Sequence, residues 1–257
     1  MPANVIACRP GSFASYQDEA FSFLEKVGIS NVEINVPSED KWPALKADLA
    51  SHKLNVTSVG GGVDFSKPET VSGFELLAKG AKAFGAKIIF LSVNSGGKPL
   101  PECYAGLRKL GDIAKANGAT IALETHPDLV TNGDVAVQTM KGVNHPNVKL
   151  NYDSANLYYY NEGVDGVAEL KKFIPYLAAF HLKESNGKPK TWYFPGLHEG
   201  EGIVNFPELF KLCAAAGFYG PFTMEIEGIE GEKLTREQAV ARVAHSVTYL
   251  KSIGAMA

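Results

Sequence analysis

Long apolar runs, paired cysteines and basic clusters are all missing from this chain of 257 residues. No hydrophobic stretch reaches the roughly 18 residues that a membrane-spanning helix needs. The opening MPANVIACRPGSF has no basic segment followed by an apolar one, so no secretory leader is expected. Cys8, Cys103 and Cys213 lie far apart with no CxxC pair. That excludes a disulfide framework and fits buried thiols in a reducing compartment, so a cytoplasmic location is expected. With a net charge of −3 and no Lys/Arg stripe, a nucleic-acid surface is excluded as well. Neither a GxSxG nucleophile turn nor a GxGxxG segment opening a helix is present.

What is present is an ordinary globular composition, 45% hydrophobic and 21% charged. Eight β-type runs alternate with helical stretches. The runs are Asn4–Cys8, Asn31–Val36, Asn55–Val59, Lys87–Val93, Thr120–Thr125, Val148–Asp153, Leu177–Lys183 and Pro221–Ile226. Helices are expected over Gln17–Val27, Trp42–His52, Pro68–Phe84, Pro99–Asn117, Asp134–Lys141, Val164–Phe173, Phe206–Ala216 and Thr235–Ile253. Pro68 and Pro99 suit first-turn positions, and Thr235 with Gln238 has the pattern of a capping box. Gly28, Gly85, Gly118 and Gly217 each precede a strand by a few residues, where a left-handed cap needs no Cβ. Gly60, Gly61 and Gly62 read as a tight loop after the third strand. Eight βα units in this length predict an α/β fold, a single (β/α)8 TIM barrel spanning residues 1–257.

Four ionisable residues sit near the C-terminal ends of the last four runs: Glu124, Asp153, His181 and Glu225. Strands buried on both faces read as near-continuous Val/Ile/Leu, and an isolated ionisable group there is costly. Side chains alternate along a strand, so Glu124 with His126, Asn151 with Asp153, His181 with Lys183, and Glu225 with Glu227 each share a face. The residue between each pair then faces the helices. Three carboxylates and one imidazole converging at the barrel mouth predict a site for one divalent cation. The mostly hard ligand set favours Mn²⁺, Mg²⁺ or Co²⁺ over Zn²⁺, with Mn²⁺ the first choice.

The segments IALETHP, VKLNYDSAN, AAFHLKE, GEGIVNF and GFYGPFTMEIEG resemble the xylose isomerase-like TIM barrels of the sugar phosphate isomerase/epimerase group. That group includes hydroxypyruvate isomerase, ketose 3-epimerases and inosose-processing enzymes. The resemblance implies that Glu124, Asp153, His181 and Glu225 bind the metal, and that Glu124 and Glu225 also act as acid and base. The implied activity is isomerisation or epimerisation of a small keto-sugar or related hydroxy-carbonyl compound. The alternative is a lyase that removes water from an oxo-sugar, inosose or dehydroshikimate-type substrate with the same groups.

This chain departs from the ketose epimerase pattern at two places. Asn156 stands where those relatives carry a His three residues after the strand-six Asp, and Lys183, Lys188 and Lys190 stand near the position of a missing Arg. The lack of that Arg argues against a phosphate on the substrate.

Forty-four residues separate His181 from Glu225, against 28 or 29 between the preceding ligands. The extra length forms a polar, aromatic loop over the mouth. From it, His198 either drops onto substrate or metal or stays exposed, and Trp192, Tyr193 and Phe194 either stack on a sugar or anchor the loop and a subunit contact. Substrate binding is expected from His126, Asn156, Lys183, His198 and Trp192. Tyr158, Tyr159 and Tyr160 remain open between pocket and support, while Arg9, Glu33 and Asn94 line the far side. The expected partners are a small sugar-like molecule and further copies of the chain, as a homodimer or homotetramer.

Two rival functions are set aside. An endonuclease IV-like site needs many more histidines than the six here, of which His52 and His245 fall on helices. A non-catalytic sugar-binding barrel would tolerate loss of Glu124 and Glu225.

Overall fold

Glycine-bounded apolar runs pair side by side in the computed structural model, which describes residues 2–256. In chain order, β1 (Ile6–Cys8) leads through a 3-10 segment (Pro10–Glu19) to α1 (Ala20–Val27). Then come β2 (Asn31–Asn35) and α2 (Trp42–Ser51), β3 (Asn55–Asp64) and α3 (Thr70–Phe84), and β4 (Ile88–Asn94) and α4 (Leu100–Ala116). Next follow β5 (Thr120–Glu124), α5 (Gly133–Val143), β6 (Val148–Asp153), α6 (Asn156–Tyr160), α7 (Gly166–Phe173) and β7 (Leu177–Leu182). The two-residue β8 (Tyr193–Phe194) precedes α8 (Phe206–Ala215), β9 (Phe222–Met224), the short β10 (Gly228–Ile229) and α9 (Arg236–Ser252).

Strands β1 to β7 and β9 form a closed parallel barrel, sealed where Ile6, Ala7 and Cys8 pair with Phe222, Thr223 and Met224. This is the (β/α)8 architecture. Strands β8 and β10 pair antiparallel above the mouth, with Phe194 opposite Gly228. Among the described residues, no helix is long and apolar enough to cross a membrane.

Local signals explain most boundaries. Gly28 and Gly85 end α1 and α3 in the left-handed region at φ 83° and 78°. The Thr235–Gln238 capping box opens α9. Pro99 sits one residue ahead of α4, and Pro101 occupies its first turn instead.

Face alternation sets the layers. Tyr152 points to the helices, its ring 5.0 Å from Phe173 of α7 and its hydroxyl donating to Gly166 at 2.7 Å. Phe222 likewise packs on Phe210 of α8 at 4.6 Å. Their neighbours in sequence therefore face the barrel interior.

One expectation fails here. Gly60, Gly61 and Gly62 are not a loop; they run inside β3, paired with Phe90, Leu91 and Ser92 of β4. Packing explains their use. A Cβ on Gly61 would lie 2.5 Å from Leu77 of α3, and one on Gly60 would lie 3.3 Å from the Phe90 ring. Glycine in a strand marks such close approaches. The Phe90 ring in turn rests 4.5 Å from that of His181.

Candidate metal centre

Each ligand candidate ends a strand with its side chain turned inward. Glu124 closes β5, Asp153 closes β6, His181 is the fifth residue of β7, and Glu225 follows β9 directly. Glu225 stays in the ladder, because its N–H donates to Leu182 O at 3.0 Å. All four residues are buried, and one ligand atom from each lies within 4.8 Å of the others.

In Asp153, His181 and Glu225, one inward atom of each is left without a hydrogen bond. Asp153 Oδ1 accepts the N–H groups of Ala155 and Asn156 at 2.9 and 2.8 Å, whereas buried Oδ2 has no hydrogen-bond partner. His181 Nε2 faces Glu33 at 3.2 Å. Glu33 accepts the Ser58 hydroxyl at 2.6 Å and, being a carboxylate, fixes Nε2 as the donor. In the neutral ring His181 Nδ1 then presents its lone pair inward, 2.8 Å from Glu225 Oε2, 3.8 Å from Asp153 Oδ2 and 3.9 Å from Glu124 Oε1. Nδ1 and Glu225 Oε2 are likewise buried without a hydrogen bond. Buried polar atoms without partners are rare, and three aimed at one point fit a cation.

Electrostatics divide the two glutamates. Burial, followed by the nearby Glu225 and Asp153 charges, pushes Glu124 up to about 8. Burial also raises Asp153 to about 6, against the pull of Lys183. Burial would raise Glu225 too, but Lys183, His181 and Arg9 outweigh it and hold this carboxyl well below its usual range. His181 is held well above its ordinary value, since Glu33 and Glu225 overcome the effect of burial.

The mouth above the cluster is a cavity of about 470 Å³ lined by Arg9, Asn35, Phe90, His126, Tyr160 and Trp192, among others. His126 Nδ1 donates to Pro127 O at 2.7 Å, so in the singly protonated ring Nε2 is an acceptor turned to other partners. Asn156 Nδ2 donates to Glu124 Oε1 at 3.2 Å, and Ser92 Oγ donates to Oε2. Trp192 is 42% exposed and packs with Phe194 at 5.0 Å and Tyr159 at 6.2 Å, forming an aromatic wall.

His198 does not join the site. Its ring stacks on Tyr249 of α9 at 4.6 Å, with the planes 15° apart, and it does not line the mouth cavity. The turn around it, with His198 itself at φ 59°, carries the side chain toward the helix layer. Asn94 also lies off the mouth, in a neighbouring cavity at the ends of β3 and β4.

Glu33, expected on the far side of the site, orients His181. Two residues beyond the expected set also carry the architecture. Ser92 left no trace in the sequence. Glu184 is fully buried and accepts the N–H groups of His198, Val204 and Ser185 at 2.8, 3.0 and 3.0 Å, pinning the long loop to the end of β7. Glu184→Ala is expected to cost roughly 2–4 kcal/mol, because three backbone donors, two of them buried, lose their acceptor. Urea unfolding checks this; an unchanged stability would make the latch dispensable.

Residues 21–253 match the family described as xylose isomerase-like TIM barrel, and the chain belongs to that family. Among curated relatives, L-ribulose-5-phosphate 3-epimerase UlaE of Salmonella typhi is 29% identical over 139 residues. That match covers 53% of this chain and 46% of the relative, so it spans about half of each. The fold matches D-psicose 3-epimerase from Clostridium cellulolyticum H10, crystallised with D-tagatose, at a TM-score of 0.78 and 16% identity, covering 96% of this chain and 98% of that one. It also matches the probable 3-DHS dehydratase AsbF from Bacillus anthracis at 0.71 and 19%, again with 96% and 98% coverage.

Proposed function

We propose that this protein is a divalent-metal-dependent epimerase or isomerase of a small keto-sugar, working by proton transfer between carbon and two glutamates. The observation that carries the reading is the convergence of Asp153 Oδ2, His181 Nδ1 and Glu225 Oε2, three buried atoms with no hydrogen-bond partner, beside Glu124. Glu124, Asp153, His181 and Glu225 would hold the cation, with Mn²⁺ the first choice for a mostly oxygen donor set. A dication there polarises a carbonyl and makes the neighbouring C–H more acidic.

The chain's own groups supply the proton traffic. Glu225, held ionised by Lys183, His181 and Arg9, takes the proton from carbon. Glu124, with its raised affinity for a proton, gives one back. Their strands stand three apart around a ring of eight, so the two carboxyls approach a bound carbon from different sides. The aromatic wall of Trp192, Phe194 and Tyr159 suits the C–H face of a sugar and excludes water, and His126 Nε2 suits a hydroxyl. UlaE, itself named a 3-epimerase, supports the reading.

The test is proton NMR of Mn²⁺-loaded protein with ketoses in D₂O. Deuterium is expected to enter the carbon beside the carbonyl, together with a change in stereochemistry or carbonyl position. Turnover by fully chelated protein would sink the proposal. Growth of an enone absorption in place of exchange would move the assignment to a lyase.

A further inference from the structure

Lys183, expected to contact substrate, lines the mouth cavity, and its ammonium is engaged by the protein's own groups. The side chain is 3% exposed. It forms an ion pair with Glu227, donates to Asn156 Oδ1 at 3.2 Å and lies 4.4 Å from the centre of the Phe194 ring. Glu225 Oε2 and Asp153 Oδ2 stand further off, at 3.8 and 3.9 Å, so the ammonium is enclosed by the protein's own groups. The other cation of the mouth, Arg9, is shared between Glu225 and Glu33, the latter at 3.5 Å. Lys188 on the long loop pairs with Glu201 at 3.5 Å and does not line the cavity.

Glu227 is the unusual member of this set. It ligates nothing in the metal cluster, and its side chain is 34% exposed while the other carboxylates around the cluster are buried. It faces the mouth cavity two residues past Glu225. Its ion pair offsets the Lys183 charge just as Glu225 and Glu33 offset that of Arg9, so neither cation of the mouth is left to attract an anion.

We propose that Glu227 is a specificity-determining residue: by neutralising Lys183 it selects uncharged polyhydroxy-carbonyl substrates and rejects phosphorylated ones. This rests on the reading of the site as one that acts on a hydroxy-carbonyl compound. It separates this chain from the substrate in the name of UlaE, a 5-phosphate. Phosphate recognition normally uses an Arg fork or a Lys free to donate. Among the described residues lining the mouth, both cations already hold carboxylates.

The experiment measures kcat/KM for L-ribulose and L-ribulose 5-phosphate with Mn²⁺-loaded wild type, Glu227→Gln, Glu227→Asp and the double variant Glu227→Gln/Lys183→Met. Calorimetric binding of both sugars is measured in parallel. Wild type should favour the uncharged sugar by about tenfold or more, and Glu227→Gln should shift the ratio toward the phosphate by a similar factor. Glu227→Asp, which keeps the charge, should retain most of the wild-type preference, and removing Lys183 as well should cancel the gain. A wild-type preference for the phosphate, or a ratio that Glu227→Gln leaves unmoved, overturns the proposal. If neither sugar turns over, the proposed reaction fails, and the binding ratios decide the role of Glu227 by the same criteria. Absence of binding by both sugars also overturns it.

Discussion

Glu225→Gln should cut deuterium exchange into a ketose by roughly 10²–10⁴-fold, the usual contribution of a positioned acid or base. The amide keeps the shape and one oxygen, so the barrel should stay folded with an unchanged circular dichroism spectrum. What disappears is the proton acceptor at the end of β9, and with it the negative partner of Arg9 and Lys183. Glu124→Gln should be comparably severe but should fail at proton return. A Glu225→Gln protein that exchanges at the wild-type rate would remove this residue from the chemistry and leave it as scaffolding.

The second large effect concerns the cation itself. Addition of Mn²⁺ at about a thousandfold excess over its Kd should stabilise chelated protein by about 4 kcal/mol, a rise in Tm on the order of 10 °C for a chain of this size. The pH dependence has a definite sign. Asp153 is pushed up to about 6, Glu124 to about 8, and His181 lies well above its ordinary value, so protons compete with the cation for three of its four ligands. Raising the pH from about 6 to about 8 draws protons off Asp153 and Glu124, so affinity rises and binding releases protons. Calorimetry in buffers of differing ionisation enthalpy reads both. Affinity that is flat across this range, or a Tm indifferent to Mn²⁺, would count against the cluster as a cation site.

Much of this arrangement was legible before any coordinates. Alternation on a two-residue period assigned Asp153 and His181 to the interior because Tyr152 and Leu182 on either side are apolar, and a barrel has only one mouth where such ends meet. The rest depended on distances that a linear string does not encode. Glu33 meets His181 across the barrel from 148 residues away. Gly60–Gly62 looked like a turn because three glycines weaken a strand; the compensation comes from Leu77 and Phe90, which fill the space that side chains would take. Lys183 showed its inward parity but not that Glu227, Asn156 and Phe194 surround its ammonium. His198 followed the geometry of its turn, for which spacing gives no rule.

The small ribbon of Tyr193–Phe194 against Gly228–Ile229 has a mechanical corollary. It staples the insertion bearing the indole of Trp192 to the stretch that leaves the barrel through Glu225 and Glu227. The proposed stacking platform and the proposed base are therefore two ends of one short lever. A displacement of either end is transmitted to the other through two residues of pairing, so grip on the ring and alignment of the base change together.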